Sequence, residues 1–272
     1  MNLWGLLITI LNGGGVKRPS EIKDLEFDLL VVSNQYKKDR QEIKEQLSTL
    51  SVDKNQVIFL VEDEQLKTEV FSAINRYDEK TDRRVVWLAS FAQYAKEAAM
   101  PGNVAECGVN RGEFAYYINK YFPDKKLYLF DTFEGFADED LEVERGLGEK
   151  SFLESQFNTG DSFKVVNLDI VKKRMLHLEQ CEFHVGYFPA TAEGVEDNFC
   201  FVNLDTDLYQ PILAGLEFFF PKMVNGGVIL VHDYFNSSLP GVRKAIVDFE
   251  SKTGVRLRKF PIADYCSLAV VK

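Results

Sequence analysis

The stretch FCFVNLDTDLYQPILAGLEFFFPKMVNGGVILVHDY, Phe199 to Tyr234, ends two apolar runs in side chains fit for metal and proton chemistry. The first run ends in Asp205, Thr206 and Asp207, and the second, Gly227 to Val231, ends in His232 and Asp233. If both runs are strands of an open parallel sheet, both tips lie at its carboxyl edge, where such folds bind ligands. Asp205 and Asp233 could hold a hard divalent cation through carboxylate oxygen, as magnesium prefers. Asp207, two residues past Asp205, can face the same cleft and take a proton from a hydroxyl. His232 is a third ligand or only a hydrogen-bonding neighbour. The chain has three histidines, and the other two, His177 and His184, are distant in sequence, which argues against a histidine-rich zinc site. Taken singly, each acid also suits a cap on a strand or helix.

A second turn supplies something for that site to work with. VAECGVNRGEF places Glu106, Gly108 and Gly112 across a strand-to-helix junction, with Val109 and Asn110 between the glycines. A dinucleotide turn wants G-x-G-x-x-G, so that backbone can approach a pyrophosphate. Here Glu106 stands at the first glycine position, where it repels phosphate and attracts a cation. A ligand with positive charge and one carboxylate, the latter near the helix N-terminus at Gly112, suits this turn. S-adenosylmethionine has that charge pattern; a tight packing turn is the plainer alternative. The next strand ends in Asp131, which can take both ribose hydroxyls of a nucleoside, and Thr132 and Phe133 follow in the same cofactor segment. Arg111 and Glu113 read as surface residues of the loop, and Phe133, Phe136 and Tyr187 as pocket walls or core.

The elements that must position these residues alternate from Pro101 onward. Strands are expected at Asn103–Glu106, Lys126–Asp131, Cys181–Val185, Phe199–Leu204 and Gly227–Val231. Helices are expected at Gly112–Tyr121, Ile170–Leu178, Tyr209–Lys222 and Gly241–Thr253. Arg256–Pro261 and Ser267–Val271 read as an antiparallel edge pair. This is an α/β pattern: a doubly wound, mostly parallel sheet with an antiparallel edge hairpin. Ahead of it come a strand at Asp28–Val32, a helix at Lys37–Leu50 and a strand at Gln56–Val61, a small β-α-β segment without its own phosphate loop. Gly13 to Gly15 could be the remnant of one. Helical patterns at Glu64–Tyr77 and Arg84–Met100 flank the apolar-poor Tyr77–Arg84, so residues 1–80 read as a structural or oligomerisation segment and 81–272 as the main domain.

The 272 residues carry a formal net charge of -10, which argues against a nucleic-acid partner. Four separate cysteines with no C-x-x-C pair read as reduced thiols. The apolar Leu3–Leu11 falls short of the roughly 20 residues a membrane helix needs and lacks the basic start and cleavage site of a signal peptide. A cytoplasmic protein without membrane insertion is expected.

The segments VAECGVNRGEFA, LYLFDTFEGF, HVGYFPAT, FVNLDTDLYQPILAGLEFFFPKMVNGGVILVHDY and FPIADYCSLAVVK resemble the macrocin-O-methyltransferase (TylF-like) family over about residues 81–272. The resemblance implies a class I, S-adenosylmethionine-dependent, metal-dependent O-methyltransferase. It assigns the metal to Asp205, His232 and Asp233, the base to Asp207 and the ribose contact to Asp131. The family's better-described members carry Asp-Asp where this chain has His232-Asp233, and imidazole favours manganese or another transition metal over magnesium. The implied activity is methylation of a sugar hydroxyl on a nucleotide-sugar or on a capsule or lipopolysaccharide glycan, by a homodimer. Rival expectations are a catechol, phenol or natural-product methyltransferase, a non-catalytic nucleoside-binding protein and, third, a dehydrogenase, which Glu106 in the phosphate turn opposes.

Overall fold

The computed structural model describes residues 8–9, 16–17, 30–32, 37–50, 52–147 and 166–272. Two short strands, β1 (Ile8–Thr9) and β2 (Val16–Lys17), pair antiparallel; Gly13 to Gly15 lie outside the described residues. Next come β3 (Leu30–Val32), α1 (Lys37–Thr49) and β4 (Val57–Phe59), with β3 and β4 parallel as the β-α-β pattern required. Leu30, Val32, Ile43 and Leu47 form a small core of their own.

Helix α2 (Glu64–Ala73) is capped by the Asp63 carboxylate, which accepts from Leu66 N at 2.9 Å. It ends earlier than the periodicity suggested, and residues 75–77 run extended onto the main domain. Asn75 Nδ2 donates to Glu113 O at 3.0 Å, Arg76 N to Glu113 Oε1 at 3.1 Å, and Tyr117 Oη to Tyr77 O at 2.8 Å. Asp82 then caps α3 (Arg83–Glu97), accepting from Arg84 N and Val85 N.

The main sheet contains β5 (Asn103–Cys107), β6 (Leu127–Asp131), β7 (Cys181–Val185), β8 (Phe199–Leu204), β9 (Met223–Val231), β10 (Arg258–Pro261) and β11 (Leu268–Val271). Its spatial order is β10-β11-β9-β8-β5-β6-β7, parallel except where β11 pairs antiparallel with β9 and with β10. The chain order reverses between β5 and β8, the kind of point where open α/β sheets form a ligand crevice.

Helices cover both faces. The apolar side of α3, with α4 (Glu113–Tyr121) and α6 (Leu168–Arg174), packs on Val104, Leu127, Leu129, Phe201, Val228 and Leu230. On the other face α7 (Tyr209–Lys222) and α8 (Pro240–Thr253) pack on Ala105, Phe130, Val202, Leu204, Ile229 and Val231. Helix α6 starts before the expected Ile170 because Asn167 caps it, accepting from Ile170 N at 3.0 Å, and it is shorter than Ile170–Leu178 because it stops at Arg174.

One helix, α5 (Asp138–Arg145, DEDLEVER), had no apolar period to betray it. Glu144 fixes it, with a carboxylate that accepts from Tyr209 N at 2.9 Å and Gly241 N at 3.0 Å. One buried acid thus ties α5 to the start of both α7 and α8, where unpaired amides and the helix dipole favour an anion.

Candidate active site

Strand parity decides which side chains meet. Successive residues of a strand point to opposite faces. Val104 packs on the α3–α4 side, so Glu106 follows it there; Phe201 does the same for Asn203 and Asp205, and Leu230 for His232. Glu106 and Asn203 are register partners on neighbouring strands. The whole set therefore gathers under the N-terminal turn of α3.

Arg84 waits there. It is 3% exposed, and its Nη2 lies 2.7 Å from Asp205 Oδ2. The guanidinium also sits 3.8 Å from the centroid of the Phe114 ring, a favourable cation–π placement. The other Asp205 oxygen, Oδ1, lies 2.9 Å from His232 Nδ1, which is itself 2.6 Å from Asp233 Oδ2. Asn236 Nδ2 donates to Asp233 Oδ1 at 2.9 Å. Asp207 and Asp233 both adopt left-handed backbone, with φ of 61° and 56°, which aspartate tolerates better than most residues and which turns both carboxylates into the cluster. One ligand atom from each of Asp205, Asp207, His232 and Asp233 lies within 4.8 Å of all the others.

Charge is unevenly shared in this cluster. Burial alone would raise Asp205, but His232 and Arg84 outweigh it and hold the carboxyl well below the usual range. Asp233 is likewise pushed up by burial and pulled down further by His232, to about 2. Asp207 moves the other way, well above its ordinary value, because it is buried beside Asp233 and Asp205. Burial pulls the His232 imidazole down, yet Asp205 and Asp233 raise it well above 6.5 against the opposing Arg84.

The donor turn behaves differently. Gly108 has φ 83°, and a Cβ there would fall 2.1 Å from the Asp205 carbonyl oxygen, so only glycine lets the β5 and β8 turns close on each other. Asp131 holds the turn's shape: Oδ2 accepts from Val109 N at 2.7 Å and Asn110 N at 2.8 Å, and Oδ1 accepts from Phe133 N at 2.7 Å. A carboxylate has about four acceptor positions, so three backbone amides leave room for one further hydroxyl, fewer than the two expected of it.

Glu106 is 1% exposed; Oε1 accepts from Asn203 Nδ2 at 2.8 Å, while Oε2 is buried without a hydrogen-bond partner. Burial pushes its carboxyl well up, only partly offset by Arg84.

Two cavities meet at Gly108, Asn110, Asp205 and Asp207. The first, about 750 Å³ with its open mouth, runs past Asp131, Thr132, Phe133, Phe136, Tyr187 and Phe188. Tyr187, whose Oη donates to Asp140 Oδ1 at 3.0 Å, and Phe136 thus line a pocket wall. The second, about 710 Å³, holds the acid cluster at one end and Tyr77, Glu106, Arg111, Glu113 and Phe114 at the other. Arg111 and Glu113 are therefore not simple surface residues. Glu113 is 6% exposed and paired with Arg76 Nε at 2.8 Å, because α4 begins against the docked 75–77 segment. Gly112 is the residue before α4, at φ 70°.

Sequence reasoning missed Arg84 and Asn203. Both left a signal: Arg84 stands on the same helical stripe as Leu88, Phe91 and Ala95, and Asn203 interrupts an apolar strand. A polar residue at a core position is the informative kind of exception.

Residues 76–267 match the family model of the macrocin-O-methyltransferases (TylF). The chain belongs to that family. Membership makes this region an S-adenosylmethionine-dependent O-methyltransferase domain. Residues 6–58 match a second model, described as C2185-like, N-terminal. A relative from Streptomyces olivaceus, the 8-demethyl-8-(2,3-dimethoxy-alpha-L-rhamnosyl)-tetracenomycin-C 4'-O-methyltransferase, is 23% identical over 173 residues, covering 60% of this chain and 65% of that protein. The chain thus spans slightly less than two thirds of that relative's length. The mycinamicin III 3''-O-methyltransferase of Micromonospora griseorubida is 24% identical over 182 residues, 64% of this chain and 70% of that protein. The O-methyltransferase NovP superposes over 77% of this chain and 99% of its own with a TM-score of 0.59 at 19% identity, which supports the Rossmann-like methyltransferase fold. Among the described residues, no helix is long and apolar enough to cross a membrane.

Proposed function

We propose that this chain transfers a methyl group from S-adenosylmethionine to a sugar hydroxyl, on a nucleotide-sugar or a surface glycan, with help from a divalent metal. The observation that carries this reading is the junction of the two cavities at Asp205 and Asp207. The acid cluster and the donor turn share one space there, so a hydroxyl held by the first can face a methyl group held by the second. Both relatives are named as O-methyltransferases, and the name of the first includes a rhamnosyl group, which favours a sugar acceptor over a catechol.

The donor is a good fit to the first cavity and the turn beside it. Phe133, Phe136, Tyr187 and Phe188 would enclose an adenine, Asp131 would take one ribose hydroxyl, and the backbone of the Gly108–Gly112 turn would lie along the methionine end. Glu106 is among the residues lining the second cavity, and its unpartnered Oε2 would receive an ammonium group, which gives a buried carboxylate without a second partner a role. Bound there, S-adenosylmethionine supplies an electrophilic methyl for in-line displacement, a reaction in which alignment of the partners accounts for much of the rate.

The metal fits as well. Three carboxylates and an imidazole converge, with Arg84 against Asp205 and a protonated His232 between Asp205 and Asp233. Asp205, His232 and Asp233 would hold the cation; magnesium suits the carboxylates, and manganese or another transition metal suits the imidazole better. A divalent cation there would lower the pKa of an acceptor hydroxyl. Asp207, buried and raised in pKa by its acidic neighbours, would accept the proton. Arg84 holds Asp205 by its far oxygen and so aims Oδ1 into the cluster.

The reading extends to a cytoplasmic homodimer in which residues 1–80 mediate assembly; the two-stranded β3–β4 sheet with its own small core supports that role for the segment. Incubating the protein with labelled S-adenosylmethionine and a panel of sugar nucleotides, with and without chelator, tests the reaction. Methylated sugar that disappears in chelator is expected. Transfer only to catechols, or undiminished transfer in chelator, would overturn the acceptor class or the metal respectively.

A further inference from the structure

One chemical group beside the acid cluster has no part in that scheme. Cys266, in the loop between β10 and β11, places its Sγ 3.3 Å from Asp233 Oδ1. Ligand atoms of His232, Asp233 and Cys266 lie within 4.8 Å of one another. Tetrahedral zinc, with bonds of about 2.0 to 2.3 Å, separates its ligand atoms by roughly 3.3 to 3.8 Å. The sulfur–oxygen pair already has that spacing.

The thiol is also held in place. The Asp264 carboxylate accepts from Cys266 N at 3.0 Å and Ser267 N at 2.7 Å, and Phe235 N donates to Cys266 O at 3.0 Å, stitching the loop to the His232–Asp233 tip. Cys107 and Cys200 are fully buried in the core, whereas Cys266 is half-buried and within reach of solvent.

We infer that His232, Asp233 and Cys266 form a second, softer metal seat that takes zinc or another thiophilic divalent cation. It shares His232 and Asp233 with the harder seat that includes Asp205. One nitrogen, one oxygen and one sulfur give the three protein ligands of an open zinc site, with a fourth position for water. Thiolate and imidazole select zinc over magnesium. Arg84 adds to the asymmetry by placing a fixed positive charge on the Asp205 side. As the metal–sulfur bond forms, the thiol proton passes to solvent; nothing is oxidised or reduced. Because two ligands are shared, a cation in the soft seat draws them from the hard one and displaces its occupant.

The inference rests on the metal reading above only for that displacement; occupancy of the soft seat stands without it. Full-length protein stripped of metal is titrated with cobalt, then zinc. A sulfur-to-cobalt charge-transfer absorption is expected, lost in Cys266→Ser, together with a fall in zinc affinity of ~10²-fold or more by calorimetry, at least what loss of a supporting partner costs. Manganese affinity, followed by electron paramagnetic resonance, should fall less than zinc affinity does in the same variant, because Cys266 touches Asp233 without being a ligand of the hard seat. Zinc should release bound manganese from the wild-type protein at far lower concentration than from the variant, whose remaining imidazole and carboxylates still favour zinc over manganese. Absence of the charge-transfer band in the wild type, or equal zinc affinity in Cys266→Ser, overturns the seat. Failure of manganese to bind at all, with the band present, sinks the hard-metal reading and leaves the soft seat standing. If Cys266→Ser does not fold, iodoacetamide labelling of the wild type decides: zinc should protect Cys266 and magnesium should not, and equal labelling overturns the proposal.

Discussion

Two aspartates at the same sheet edge, Asp131 at the end of β6 and Asp205 just past β8, have opposite surroundings. Asp131 spends three acceptor positions on backbone amides of its own turn and the adjacent one. Asp205 is balanced by two side chains, Arg84 and His232. Backbone amides cannot change charge or leave, so Asp131 is a fixed strut with one position to spare for ligand. The Arg84 guanidinium keeps its charge, but the His232 imidazole can lose its proton, so Asp205 belongs to a charge set that a cation can rearrange. The chain therefore builds its donor side rigid and its acceptor side adjustable.

Replacing the adjustable acid should do most damage to chemistry. Asp205→Asn is expected to cut turnover by on the order of 10³-fold, the scale of several kcal/mol of lost charge stabilisation, with a much smaller loss of affinity for S-adenosylhomocysteine, since the donor contacts assigned above do not use the Asp205 carboxylate. Comparable losses of turnover and cofactor affinity would erase the distinction between the two regions. Asp207→Asn comes next, with a loss of ~10² to 10⁴ in kcat from removal of a base and manganese binding retained. A variant with normal kcat would move the base elsewhere.

The rigid side should fail through structure. Gly108→Ala forces a Cβ against the Asp205 carbonyl at a backbone φ of 83°, and is expected to lower stability by about 2 to 4 kcal/mol. Asp131→Asn keeps the shape but weakens its hydrogen bonds to three amides, costing about 1 to 2 kcal/mol and on the order of tenfold in cofactor affinity with kcat nearly unchanged. Chemical denaturation and cofactor titration separate these outcomes. A large kcat loss with normal binding in Asp131→Asn would make it part of the adjustable set.

The difference between the two regions also explains what the sequence could reveal. The parallel sheet, its antiparallel edge and the tips carrying Asp131, Asp205 and Asp233 were legible because apolar runs of strand length ended in acids. Helix α5 was not, since an acid-rich segment has no period and its anchor is one buried carboxylate reaching two helices far along the chain. Arg84 was visible as a polar break in an apolar stripe, but its partner lies 121 residues away, and only strand parity across three strands brings them together. The use of three Asp131 acceptor positions within the protein could not be foreseen: it depends on where three amide hydrogens point, which residue types do not encode.

The finest test uses pH, because His232 and Asp233 of the adjustable side should respond to it with opposite sign. In chelator His232 carries a raised pKa in the folded protein, and a group raised on folding binds its proton more tightly there than in the unfolded chain. Its contribution to stability is full below 6.5 and is lost as pH rises through the folded value. Asp233 is lowered from 3.8 to about 2, so its contribution is present above 3.8 and lost as pH falls through about 2. Metal-free protein should therefore be most stable between these limits and weaken towards alkaline pH. His232→Gln should flatten the alkaline slope, and saturating manganese should flatten it too by taking the place of the proton. Thermal unfolding across pH measures both, and an alkaline slope that survives both His232→Gln and manganese would mean that the charge of this tip is not set by its histidine.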